Sequence, residues 1–102
     1  MVYKFRLYVS PLTSNSQRAI TNLEALCQEE LEGEYEIEII DVTQHPMRAE
    51  RDRILATPTL VKSTPEPIKR IIGDLSDRQK VRASLDLLPP PRAPIVVPAR
   101  AE

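Results

Sequence analysis

The chain has 102 residues, 41% of them hydrophobic, enough to close one small core and too few for two. With 14 basic against 15 acidic side chains the net charge is -1, and aromatics make up 4%, so neither the field nor the stacking platforms of a nucleic-acid binder are present. A single cysteine forbids an internal disulfide, no apolar run reaches bilayer length, and the charged alternation of MVYKFRLYVS is unlike a signal-peptide core; a cytoplasmic protein with no membrane segment is expected.

In chain order, YKFRLYV sets Tyr3, Phe5, Leu7 and Val9 on one face with Lys4 and Arg6 between them, the period of a half-buried strand. SPLTSNSQ supplies a turn and a capping box from Ser14 to Gln17, after which Ala19, Ile20, Leu23, Cys27 and Leu31 recur at helical spacing. Gly33 closes that helix, and YEIEIIDV returns to alternation, with Tyr35, Ile37 and Ile39 opposite Glu36 and Glu38. Strand, helix and strand with short loops make a right-handed βαβ unit with parallel strands.

Pro46 suits the first turn of a second helix, with Thr43 or Gln44 near its cap and Ile54 and Leu55 at its end. PTLVKS and PIKRIIG read as short strands joined by Thr64-Pro65-Glu66-Pro67, hence antiparallel. Pro58 stands at the entry to the first of them, where a missing donor and a fixed φ ask for special geometry, of which a cis peptide bond is one form. Ser76 with Gln79 makes a further capping box before Val81, Leu85 and Leu88. From Pro89 onward PPPRAPIVVPARAE reads as an extended or disordered tail, giving a domain over residues 1–88 and a tail over 89–102.

The order βαβ-α-ββ-α is that of a thioredoxin-like α/β (α+β) domain. Enzymes of that fold carry Cys-x-x-Cys where the first helix begins, because the helix dipole and free N–H groups there favour a thiolate. Here the same position reads SPLTSNS, without sulfur. Cys27 falls about three turns further along, in line with Leu23 and Leu31, and is assigned to packing. A thiol oxidoreductase would require Cys27 to be exposed and reactive. His45 stands alone before Pro46, which makes no metal set and no dyad, and neither Gly33 nor Gly73 sits in a phosphate-binding pattern. No catalytic residue, metal or cofactor is expected, and the chain reads as a binding protein, not an enzyme.

The stretches KFRLYVS…NSQRAI, IIDVTQHPMRAERDRILATPTLVK and PIKRIIGDLSDRQKV…LDLL resemble the circadian clock KaiB family, over roughly residues 4 to 88 without an evident gap. The resemblance implies a regulator that docks on a KaiC-like ATPase ring, with KaiA and a SasA-like histidine kinase as further partners. It also implies two folds: a ground state of order βαββααβ, as a dimer or tetramer, and a binding-competent thioredoxin-like monomer. By the same resemblance Arg18, Arg53, Lys62, Lys69 and Arg70 form the partner-binding set, and Pro58, Pro65, Pro67, Ser84 and Asp86 the fold-switching or structural set.

X-Pro bonds that exchange slowly and lack donors weaken any single preference in the second half of the chain. The family commonly has glycine where this chain has Ser84, and serine favours a helix there by roughly 0.5 kcal/mol. SPLT in place of a more glycine-containing loop, and a Pro-rich tail in place of an acidic one, point to a divergent paralog or to a homologue outside the standard clock, still paired with a KaiC-like ATPase. An adaptor in a stress or signalling pathway, using the same surface on another partner, is the second reading.

Overall fold

The computed structural model of the chain describes residues 2–31, 33–85 and 87. Its elements follow the expected order: β1 (Tyr3–Val9), α1 (Ser14–Glu30), β2 (Tyr35–Asp41), α2 (Pro46–Arg51), β3 (Thr59–Thr64), β4 (Lys69–Ile72) and α3 (Arg78–Leu85). The strands form one sheet in the order β2-β1-β3-β4, with β1 and β2 parallel and the other two pairs antiparallel. Asp86, Leu88 and the expected tail, residues 89–102, lie outside the described residues.

Alternation along β1 divides the core between two faces. Tyr3, Phe5, Leu7 and Val9 join Leu60 of β3, Ala19, Leu23, Leu26 and Cys27 of α1, and Val81 and Leu85 of α3 in the larger apolar cluster. Leu7 and Leu60 are cross-strand partners, both fully withdrawn from water. Each such leucine contributes about 2 kcal/mol relative to exposure. Tyr8 points the other way, packing with Ile40 and Val61 beneath Ala49 of α2. The sheet is therefore covered by α1 and α3 on one face and by α2 on the other, as two-layer packing of amphipathic elements requires.

Local departures from expectation each have a visible cause. The cap of α1 is Thr13, not Ser14: a turn closes from Thr13 N–H to the Ser10 carbonyl at 3.0 Å, which leaves Thr13 extended with its hydroxyl accepting from Ser16 N–H at 3.2 Å. Gln17 turns back instead to the Pro11 carbonyl at 2.7 Å. Asp77 serves α3 in the same way, accepting from Lys80 N–H at 3.1 Å, while Ser76 N–H is taken by Asp74. The α2 helix stops at Arg51, so Ile54 packs from a loop and Leu55 is left 94% exposed. His45 caps α2 with its backbone alone. Because β2 is an edge strand, its alternating face is incompletely covered, and Ile39 is exposed while Ile40 is buried under α2.

Candidate docking surface

Two loops meet where α1 begins: the Ser10–Thr13 turn after β1, and the entry to β3 through Thr57 and Pro58, joined by a cis bond. The Thr64–Pro65 and Glu66–Pro67 bonds between β3 and β4 are cis as well. Ser10 Oγ lies 2.7 Å from Thr57 Oγ1, and the buried Ser16 Oγ accepts from Ser10 N–H at 3.0 Å. Leu12, fully exposed, rims a depression of about 430 Å³ that also touches Thr13, Ser14, Asn15 and Thr57. Hydroxyls engaged with one another and with backbone are weak nucleophiles without an adjacent base. Cys27 is 0% exposed, and burial, reinforced by the Glu30 charge, pushes its thiol up to about 12. It is protonated at neutral pH, and a buried thiol is inert.

The five basic residues expected from the sequence to bind a partner occupy three places. Arg53 and Arg70 meet on the α2 face, where Arg70 Nη1 donates to the Arg53 carbonyl at 3.2 Å and both side chains are exposed. Arg53 stands just past α2 with φ of 54°, and the turn closes through Arg53 N–H to the Glu50 carbonyl at 3.0 Å and Ile54 N–H to the Ala49 carbonyl at 2.9 Å. That left-handed site after a helix is normally taken by glycine, since a Cβ is strained there. Beside it Val42, Pro46, Ala49, Ile54 and Leu55 line an open apolar depression of about 500 Å³.

Lys62 and Lys69 are cross-strand partners on the opposite face of the sheet, the one covered by α1 and α3. Lys62 is only 1% exposed, so in this conformation its side chain is withdrawn from the protein surface, and Lys69 is half-buried. Arg18, in the second turn of α1, is exposed and leans on Asn15 and on Asp74 Oδ2, the latter at 3.4 Å from its Nε. Ser84 is half-buried in α3.

Sequence reading missed the hub that holds α2 to the sheet. Asp52 Oδ2 accepts from Arg6 Nε at 3.1 Å and from the Tyr8 hydroxyl. Burial alone would raise the Asp52 carboxyl; the Tyr8 hydroxyl and the Arg6 guanidinium outweigh it and hold the group below the ordinary carboxylate range. Tyr8 is pushed up, chiefly by burial and then by the Asp52 carboxylate. The placing of Arg6 and Tyr8 two residues apart on one face of β1 was legible; their partner, 44 residues from Tyr8, was not. Leu12 and the exposure of Leu55 carried no signal in the sequence.

Fold and site together define a thioredoxin-like domain that has hydroxyls, and elsewhere a buried protonated thiol, where its enzymatic counterparts hold a dithiol. The KaiB domain matches residues 6–87. A protein described as circadian clock oscillator protein KaiB from Microcystis aeruginosa (strain NIES-843 / IAM M-2473) is 52% identical over 86 residues, covering 84% of this chain and 83% of its own. Circadian clock protein KaiB3 of Synechocystis sp. (strain ATCC 27184 / PCC 6803 / Kazusa) is 49% identical over 84 residues, covering 82% of each. The chain belongs to the KaiB family of circadian clock proteins.

Among solved structures, the N-terminal domain of Synechococcus elongatus SasA superposes with a TM-score of 0.68 at 20% identity, covering 81% of this chain and 79% of that one. The Drosophila thioredoxin Deadhead gives 0.66 at 14% identity, covering 80% and 76%. These likenesses concern the fold.

Proposed function

We propose that this chain is a non-enzymatic regulator, working in the cytoplasm, that docks on a KaiC-type hexameric ATPase and alters its phosphorylation cycle and output. The observation that carries the reading is that the entry to α1, Ser10 to Thr13, holds hydroxyls in place of the dithiol, Ser10 Oγ lying against Thr57 Oγ1, with the only sulfur of the described core sealed inside it. A thioredoxin scaffold so altered keeps a shaped surface and loses its covalent chemistry.

Docking uses the exposed Arg53–Arg70 pair beside the Leu55 depression, with Arg18 contributing from α1. An exposed arginine flanking apolar side chains is the composition of an interface anchor. Lys69 borders this surface from the other face of β4, and Lys62 reaches a partner only in an alternative arrangement of the second half of the chain.

A switch to the order βαββααβ, in a dimer or tetramer, is part of the proposal. The elements after β2 are short: six residues in α2, four in β4 and eight in α3. Helices and hairpins of that length are marginal alone and take their stability from tertiary contacts. The β1–α1–β2 unit, with a helix of 17 residues, is shared by both arrangements. KaiA and a SasA-like kinase are further partners or competitors at the ring.

The test is capture of the chain by a KaiC-type ring in phosphorylated and unphosphorylated forms, with wild type, Arg18→Ala and Arg53→Ala. Phosphorylation-dependent capture that weakens in both variants is expected. Capture unchanged by either substitution would reject the site, and no capture of wild type in either form would reject the function.

A further inference from the structure

We propose that α3 is a latched element, held on α1 by an ion cluster built around the buried Glu30 carboxylate, and that releasing the latch opens the core at Cys27 while the sheet stays folded. Glu30 is 8% exposed and is the one acidic side chain buried among the described residues. Arg82 Nε stands 2.5 Å from its Oε1 and Arg78 Nη1 3.6 Å from its Oε2. Arg78 also holds Glu29 through two bonds of 3.0 and 2.8 Å. Both cations come from α3 and both anions from the last turn of α1.

Glu30 Oε2 and Arg82 Nε are buried yet neither makes a well-directed hydrogen bond. Charge pairing is thus what the cluster shows most plainly, and a buried charge is costly once its partner is removed. A second tie lies in the segment just before α3, where Asn22 Nδ2 donates to the Asp74 carbonyl at 2.7 Å.

The helix itself has eight residues, too few to persist without docking. Its grip on the core is Val81 and Leu85, in the same apolar cluster as Cys27, which lies one turn before Glu30 on α1. Undocking α3 thus uncovers the thiol without breaking the β1–β2 or β1–β3 ladders, a sub-global opening of the kind native proteins undergo. This is a property of the isolated chain and stands whether or not the chain docks on a ring.

The experiment is the rate at which an aromatic disulfide reagent labels Cys27 in the native full chain, followed against salt and urea. In wild type, raising salt from about 0.1 M to about 1 M shortens the screening length from about 10 Å to about 3 Å and is expected to speed labelling. Glu30→Gln, which preserves shape, is expected to raise the rate about tenfold, and Arg82→Gln likewise. The double variant should exceed neither by much, because both remove one interaction. Arg48→Gln, which breaks the Glu38 pair on the α2 face, should leave the rate within about twofold.

The urea dependence of labelling should be shallower than that of global unfolding. Labelling insensitive to salt and to Glu30→Gln, or labelling whose urea slope equals that of global unfolding, would overturn the proposal. The wild-type salt and urea arms decide it even if a variant fails to fold.

Discussion

Arg53 occupies a backbone site that physical chemistry reserves for glycine, and replacing it separates stability from function. A residue with a Cβ loses about 1–2 kcal/mol in the left-handed region. Glycine would return about 0.5–1 kcal/mol of that through the larger entropy of its unfolded chain. Nothing else offsets the gain, because the Arg53 side chain is exposed and Arg70 bonds its main-chain carbonyl, which glycine retains. Arg53→Gly should therefore stabilise the domain by about 0.5–1 kcal/mol, or about 4 °C in melting temperature.

On the proposed docking role, the same variant should bind a KaiC-type ring at least about fivefold more weakly, since an arginine that serves as an interface hot spot costs more than about 1 kcal/mol when truncated. Urea unfolding and fluorescence titration measure the two quantities on one preparation. A destabilised variant would show that the side chain does structural work. A stabilised variant that binds as wild type would show that the strain is not kept for docking.

Further outcomes follow from the hub and from α3. Asp52→Asn should cost about 1 kcal/mol at pH 7, for two hydrogen bonds to a charged group, discounted because the Arg6 and Asp52 side chains are 29% and 22% exposed. Because the folded-state carboxyl is lowered, this stabilisation is present above the unfolded value near 4 and is lost as pH falls through the folded value. The gap between wild type and Asp52→Asn in urea midpoints should thus close on acidification, and a gap independent of pH would contradict the charge assignment. Ser84→Gly should loosen α3 by roughly 0.5 kcal/mol. NMR should find a smaller thioredoxin-like population in that variant, and equal populations would remove the role of Ser84 in choosing the fold.

The strands, helices and their order were legible because the hydrophobic period changes cleanly from two to 3.6 and back, as from Leu7 to Leu23 to Ile37. The caps fall one residue from the sequence expectation, at Thr13 and Asp77, since several neighbouring side chains can accept the same N–H groups and only the turn before each helix decides among them. The α2 helix is shorter than its sequence pattern suggests because Ile54 and Leu55 look like a helical stripe; the left-handed turn at Arg53 is invisible in a sequence lacking glycine there. Cys27 was placed correctly by its alignment with Leu23 and Leu31.

The basic set was the least legible part. A lysine on a strand gives no sign of which face it takes, and Lys62, facing α1 and α3, is buried where Arg70, one strand away, is exposed. Ion pairs such as Glu30–Arg82 and Asp52–Arg6 join residues 52 and 46 apart and depend on a fold already formed.

The most direct test of docking without thiol chemistry is the dissociation constant for a KaiC-type ring, measured by fluorescence anisotropy for wild type and a folded Cys27→Ala variant under reducing conditions. Micromolar or tighter affinity, agreeing within about threefold between the two, is predicted, because a sealed thiol contributes packing alone. Binding that disappears with the sulfur, or a wild-type chain that does not bind the ring, would contradict it.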